Sequence, residues 1–181
     1  MHWILIIFLI IFCITELLLI RTFIVKKEKV ALKSSTVSFG FLGIVLIAAY
    51  SFDFNMPDFA FILVIILFLV NSYFGYYQNL FNKSRKFDRF LHGYGSFSFA
   101  VFFYYLLSNF FQYGGSKAFQ AFYIMLLGIF TGAVYEMIEF ITDLKHEKKL
   151  QRGLRDTNFD MVSDIIGSIG ASLLGFFILL P

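Results

Sequence analysis

The chain has 181 residues, of which 59% are hydrophobic, 21% aromatic and only 15% charged, with a mean hydropathy of +0.79. Soluble domains carry about 25% charged residues, so this composition excludes a single water-soluble core and predicts an all-α, polytopic membrane bundle with little mass outside the bilayer. The formal net charge is +3 and Cys13 is the single cysteine, so no intrachain disulfide framework is available and no nucleic-acid partner is expected.

A helix that crosses a bilayer needs about 20 mainly apolar residues. Six segments qualify: 2–20, 38–54, 59–77, 87–110, 119–141 and 158–180. The first has no basic residue ahead of its apolar stretch and no small-residue cleavage site, and it carries Glu16, so it reads as a retained helix rather than a signal peptide. Glu16 reads as a solitary polar contact, with a partnership to the polar groups of the last three spans as the alternative. The second span is short and joins the third through Asn55-Met56-Pro57-Asp58, where Pro57 and Asp58 suit a turn and a helix start. Trp3, Tyr73, Tyr76 and Tyr77 read as headgroup-level aromatics. Residues 79–90 mix basic and aromatic side chains and suit the inner membrane surface or a solvated loop. No internal repeat is present, so a single integral membrane domain, 1–181, is expected.

The basic residues set an orientation. Arg21, Lys26, Lys27, Lys29 and Lys33 fall between the first two spans, and Lys83, Arg85, Lys86 and Arg89 between the third and fourth. Lys145, Lys148, Lys149, Arg152 and Arg155 fall between the fifth and sixth, and Lys117 alone lies in the alternate set of connections. Fourteen against one places these three connections in the cytoplasm and both termini outside it. The expected location is the bacterial cell membrane.

Three polar clusters interrupt the last three spans: Asp88-Arg89-x-x-His92, Glu136-x-x-Glu139 and Asp156-x-x-x-Asp160-x-x-x-Asp164. An ionisable residue at the centre of a membrane helix costs at least about 2.5–3.5 kcal/mol on insertion scales, so each cluster is a candidate site. A sixth helix starting near Thr157 puts Asp164 about 10 Å in, and a fifth ending near Thr142 puts Glu136 about 9 Å in. His92 lies about one turn into the fourth. At about 100° per residue, Asp160, Asp164, Gly167, Ala171 and Gly175 share one stripe. Gly128, Gly132, Glu136, Glu139 and Asp143 form a second, and Asp88, His92, Gly95 and Ser96 a third. Small residues let membrane helices approach closely, so the three spans are expected to pack through these stripes and gather the polar groups into one site. A plainer role competes at the edges: Asp156, Thr157 and Asn158 suit a helix cap, and Asp88 suits a cap or a pair with Arg85 or Arg89.

So many acids at close quarters need protonation, a cation, or neutralisation by Arg89, Arg152 and Arg155. Carboxylates with one imidazole suit Mg²⁺ or Mn²⁺ and can hold Zn²⁺. Asp88, Asp160, Asp164 and Glu136 are the expected metal set, while His92, Glu136, Glu139 and Asp164 are the expected catalytic groups. Arg89, Arg152 and Arg155 suit the phosphate of a substrate.

The same residues carry a family resemblance. Phe87-Asp88-Arg89-Phe90-Leu91-His92-Gly93, then Tyr135-Glu136-Met137-Ile138-Glu139-Phe140, then Asp156-Thr157-Asn158-Phe159-Asp160-Met161 with Asp164 and Gly167 resemble the YjdF-like family of bacterial inner-membrane proteins and, more distantly, the VanZ-like family. The likeness covers 87–175. Glu139 and the Asp-Thr-x-x-Asp-Met run fit the YjdF-like pattern, whereas VanZ-like proteins tend to carry glutamine at the second glutamate. Neither family implies a settled reaction; the VanZ-like one implies a link to low-level glycopeptide resistance.

The resulting expectation is an enzyme acting on a phosphate-bearing lipid or cell-envelope precursor, with membrane lipids as its surroundings. A proton- or cation-coupled transporter and a non-catalytic assembly protein are the alternatives. The outer halves of the last three spans offer mostly Phe, Leu, Ile and small residues, which counts against a through-pore.

Overall fold

The computed structural model describes residues 3–145 and 150–180; His2, Lys148 and Lys149, used in the span and orientation arguments, lie outside them. Seven helices follow in order: α1 Trp3–Lys26, α2 Lys29–Ser51, α3 Asp58–Leu69, α4 Leu80–Lys83, α5 Arg85–Ser108, α6 Lys117–Lys145 and α7 Leu154–Leu174. Helices α3 and α7 continue as π-helix over Val70–Tyr77 and Gly175–Leu179. No strand occurs among the described residues. With the two π extensions counted in, six helices are long and apolar enough to cross a membrane.

The chain divides into two compact units, Met1–Ser84 and Arg85–Pro181. In the first, α1, α2 and α3 pack on one another. Phe12 is buried and stacks on Phe39 at 5.9 Å, with Phe68 at 6.3 Å. The second span is longer than its apolar stretch suggests. Lys27 takes a left-handed conformation (φ 56°) and the Glu28 amide donates to Phe23 O at 3.0 Å, which ends α1 and lets α2 begin at once. Ser35 and Ser38 are buried, so the polar stretch before residue 38 is an inward helix face and not a loop. Arg21, Lys26, Lys29 and Lys33 accordingly ride on the end turns of two helices.

Pro57 is extended (φ −70°, ψ 142°) immediately before α3, as its fixed ring geometry favours, and Asp58 opens the helix. Residues 79–90 do not lie as one surface segment: α4 is a single turn, and α5 already starts at Arg85.

In the second unit α5, α6 and α7 all contact one another. Ala100, Val101, Phe102, Ala121, Ile124 and Ala171 are buried, while Phe130, Ile166, Leu173 and Phe177 face outward. Apolar side chains turned outward are what a lipid solvent permits and water does not reward.

Candidate functional site

The three helices of the second unit meet where their side chains vanish. A Cβ on Gly167 would strike the Gly93 carbonyl, so α5 and α7 touch backbone to backbone. Gly93, not Gly95 of the expected stripe, makes that approach. On α6, a Cβ on Gly132 would lie 2.5 Å from Asp164 Oδ2, and one on Gly128 would lie 2.9 Å from Ser96 O. Small residues at these points set the depth at which polar groups from all three helices converge. Because α7 begins at Leu154 and α6 runs to Lys145, Asp164 is about 15 Å and Glu136 about 14 Å from the helix ends, deeper than the apolar runs alone suggest.

The inner layer centres on His92. Its Nδ1 lies 3.4 Å from Asp164 Oδ2, while Ser96 Oγ donates to Asp164 Oδ1 at 2.7 Å. Ser168 Oγ donates to Asp164 O at 2.6 Å. Asp164 is thus held by α5 and holds the imidazole in turn. On the other edge of the ring, Nε2 is 3.8 Å from Glu136 Oε1, and Tyr135 packs edge-on at 5.4 Å. Gln151 fixes Glu136, donating from Nε2 to Oε2 at 2.7 Å and to the backbone oxygen at 3.1 Å.

One ligand atom each from His92, Glu136 and Asp160 falls within 4.8 Å of the others, and all three residues are buried. Glu136 Oε1 and Asp160 Oδ1 have no hydrogen-bond partner. An unpaired carboxylate oxygen away from water carries a large desolvation cost. Two of them beside an imidazole nitrogen fit a divalent cation taking N and O ligands. Asp164, expected as a ligand, stands behind His92 and orients it. Histidine ligands commonly have such a carboxylate partner, whose loss lowers metal affinity by about 10–100-fold. Asp164→Asn is expected to weaken Mn²⁺ binding by that factor, measured by titration calorimetry, while the far-ultraviolet circular dichroism stays unchanged.

The outer layer is ionic. Arg89 Nη2 lies 3.7 Å from Asp156 Oδ1, and Arg152 Nη2 lies 3.4 Å from Asp88 Oδ2. The pairs are reciprocal, since α5 gives Asp88 and Arg89 while the start of α7 and the residues before it give Arg152 and Asp156. Side-chain exposure falls from 30% at Arg89 and 26% at Arg152 to 4% at His92, which locates the mouth of the site. Asp88, Asp156 and Asp160 also form a second group of carboxylates within 4.8 Å. Asp156 is no cap: α7 starts after Gly153 without a side-chain cap hydrogen bond, and Asp156 is buried in its first turn. Arg89 also lies over the Phe159 ring at 4.3 Å, with its Nε buried and unpartnered. Arg155 is exposed, 5.8 Å from that ring on the outside of α7. Glu139 is half-buried, one turn nearer the helix end than Glu136 and outside both groups.

Asp143 has a structural task. It is buried and accepts the backbone amides of Leu150 at 2.6 Å and Gln151 at 2.9 Å. Gln151, the residue that holds Glu136, is therefore positioned by Asp143. Hydrogen bonds to a charged group contribute about 1.5–3 kcal/mol each, so Asp143→Ala is expected to lower the melting temperature and also to weaken metal binding through Gln151. Asp143, Gln151 and Thr157, with Phe140, Leu144 and Leu154, line a hollow of about 410 Å³ beside this layer.

Residues 2–180 match the family of predicted membrane proteins designated DUF2238. The chain belongs to that family. It is the family of the YjdF-like proteins whose motifs lie at 87–175. An uncharacterised protein of Thermotoga maritima is 33% identical over 99 residues, 54% of this chain. The chain spans about half the length of that curated relative, the match covering 52% of it. No solved structure matches.

Proposed function

We propose that α5–α7 of this DUF2238 protein form a membrane-embedded divalent-cation site that acts on a phosphate-bearing lipid or envelope precursor at the cytoplasmic leaflet. The observation that carries the reading is the convergence of His92, Glu136 and Asp160 within 4.8 Å, all buried, with two carboxylate oxygens left unpartnered. Six carboxylates (Asp88, Glu136, Glu139, Asp156, Asp160 and Asp164) stand against Arg89, Arg152 and one imidazole, and a divalent ion offsets part of that excess. Mg²⁺ or Mn²⁺ bound there supplies a Lewis acid for a phosphoryl oxygen or an activated water.

The remaining roles belong to the chain. Asp164 and Ser96 orient His92, Gln151 orients Glu136, and Glu139 stands closer to the mouth as a group able to exchange a proton with substrate. Arg89, with its unpartnered Nε, and Arg152 supply donors to an anionic oxygen; Arg155 is suited to a headgroup at the rim. The hollow carries Phe140, Leu144 and Leu154 beside polar Gln151 and Thr157, a surface suited to a molecule with an apolar body and a polar head.

Orientation rests on the fourteen-to-one division of basic residues, and reporter fusions at the carboxyl terminus are expected to score as non-cytoplasmic in the bacterial cell membrane. The deciding experiment is turnover by the purified protein in nanodiscs, offered phosphatidic acid, phosphatidylglycerol or a polyprenyl phosphate with Mn²⁺ or with a chelator. Phosphorus-31 NMR is expected to show metal-dependent loss of one lipid phosphate signal. Absence of both metal retention and turnover would falsify the reading.

A further inference from the structure

The first unit holds a second buried acid that the site above does not use. Glu16 on α1 has 0% of its surface exposed, and neither carboxylate oxygen has a hydrogen-bond partner. Ser35 of α2 and Ser72 of the π segment are the polar side chains beside it. Both are fully buried, and Ser35 Oγ donates to Ser72 Oγ at 3.1 Å, so the two hydroxyls are shared between each other and the carboxylate. Asn71, next to Ser72, is buried too, and its amide donates to Ser34 Oγ at 3.1 Å. The expectation of a solitary polar contact therefore gives way to a polar pocket made by three helices.

A buried carboxylate met by two shared hydroxyls and, among the described residues, by no cationic side chain is under-compensated, and a proton or a cation relieves it. The surrounding donors are hard oxygens, and the charge to be matched is one. That combination suits a small monovalent ion rather than a divalent one, which favours several carboxylates. The backbone points the same way, since Val70–Tyr77 leaves the α-helical ladder for π-helix at Asn71 and Ser72. Single π segments inside α-helices are frequent at functional sites.

We infer that Glu16, Ser35 and Ser72 form a sodium site within the first unit, the carboxylate and the two hydroxyls turning from their present pairing to face one dehydrated Na⁺. The inference stands apart from the metal site of α5–α7 and needs no catalytic role for either.

The test uses the full chain in nanodiscs. Thermal unfolding is followed in NaCl, KCl and choline chloride at equal ionic strength, with ²²Na⁺ binding measured in parallel. The expected result is a melting temperature several degrees higher in sodium than in the other salts, with ²²Na⁺ retained by the wild type. Glu16→Gln is expected to abolish both signals, and Ser72→Ala, the milder change kept in case the first variant fails to fold, to weaken both. Equal melting in all three salts without ²²Na⁺ binding overturns the inference. So does a sodium response that survives in Glu16→Gln, or stabilisation by low pH alone, which assigns the carboxyl a proton.

Discussion

Glu136→Gln and Asp160→Asn are each expected to lower Mn²⁺ affinity by more than about 100-fold, beyond the 10–100-fold that loss of an orienting partner costs. Each substitution keeps the shape of the side chain and removes one negative charge from the His92–Glu136–Asp160 group. The amide nitrogen it introduces repels a cation at the position where Glu136 Oε1 or Asp160 Oδ1 now stands unpartnered. If the group instead serves packing alone, the neutral amide relieves a buried unpaired charge and the protein becomes more stable, with no change in metal content. Metal analysis of the purified variants alongside their melting curves separates these outcomes. A stabilised variant that binds Mn²⁺ as the wild type does would sink the metal assignment.

Gly167 is the position where the smallest change is expected to do the greatest structural harm. Its missing side chain is occupied by the Gly93 carbonyl, and backbone has no rotamer with which to yield. Gly167→Ala must therefore part α5 from α7, at a cost of about 1–3 kcal/mol typical of overpacking. Gly167→Leu is expected to prevent accumulation of folded protein. Gly170, three residues on, provides the control: a Cβ there meets the Phe97 ring at an ordinary 3.5 Å. Gly170→Ala is expected to keep or slightly raise the melting temperature, since alanine is the better helix former. Similar losses at both positions would show that added volume anywhere on α7, not the crossing with α5, governs the effect.

How far the sequence could be read depends on what each feature rests on. The spans were legible because hydrophobic length is a property of consecutive residues. The polar stripes were legible because the 100° rotation of a helix is nearly invariant, and Glu136, Asp160, Asp164 and His92 did turn to a common interior. Helix ends were read less well. Lys29–Ser38 is helical despite its polarity because Ser35 bonds Ser72 and Ser34 accepts from Asn71 on another helix, which no local pattern reveals. Gln151 was missed for a related reason: a glutamine in a basic connection looks solvated until Asp143, accepting its backbone amide, holds it beside Glu136. The arginines were legible as neutralising groups, but which carboxylate each one meets depends on where α7 begins. The π turn at Asn71 and Ser72 left no sequence signal that separates it from an ordinary helix end.

The backbone contact between Gly93 and Gly167 has one more implication. It lies beside His92 within the polar layer, with Ser96 and Ser168 next along the two helices and Ala100, Val101, Phe102, Ile124 and Ala171 buried beyond them. Among the described residues, the polar layer grows more exposed toward Arg89 and Arg152, while apolar side chains fill the three helices beyond it. Under the proposed function, reactant and product share the approach at Arg89 and Arg152, so product is expected to compete with substrate.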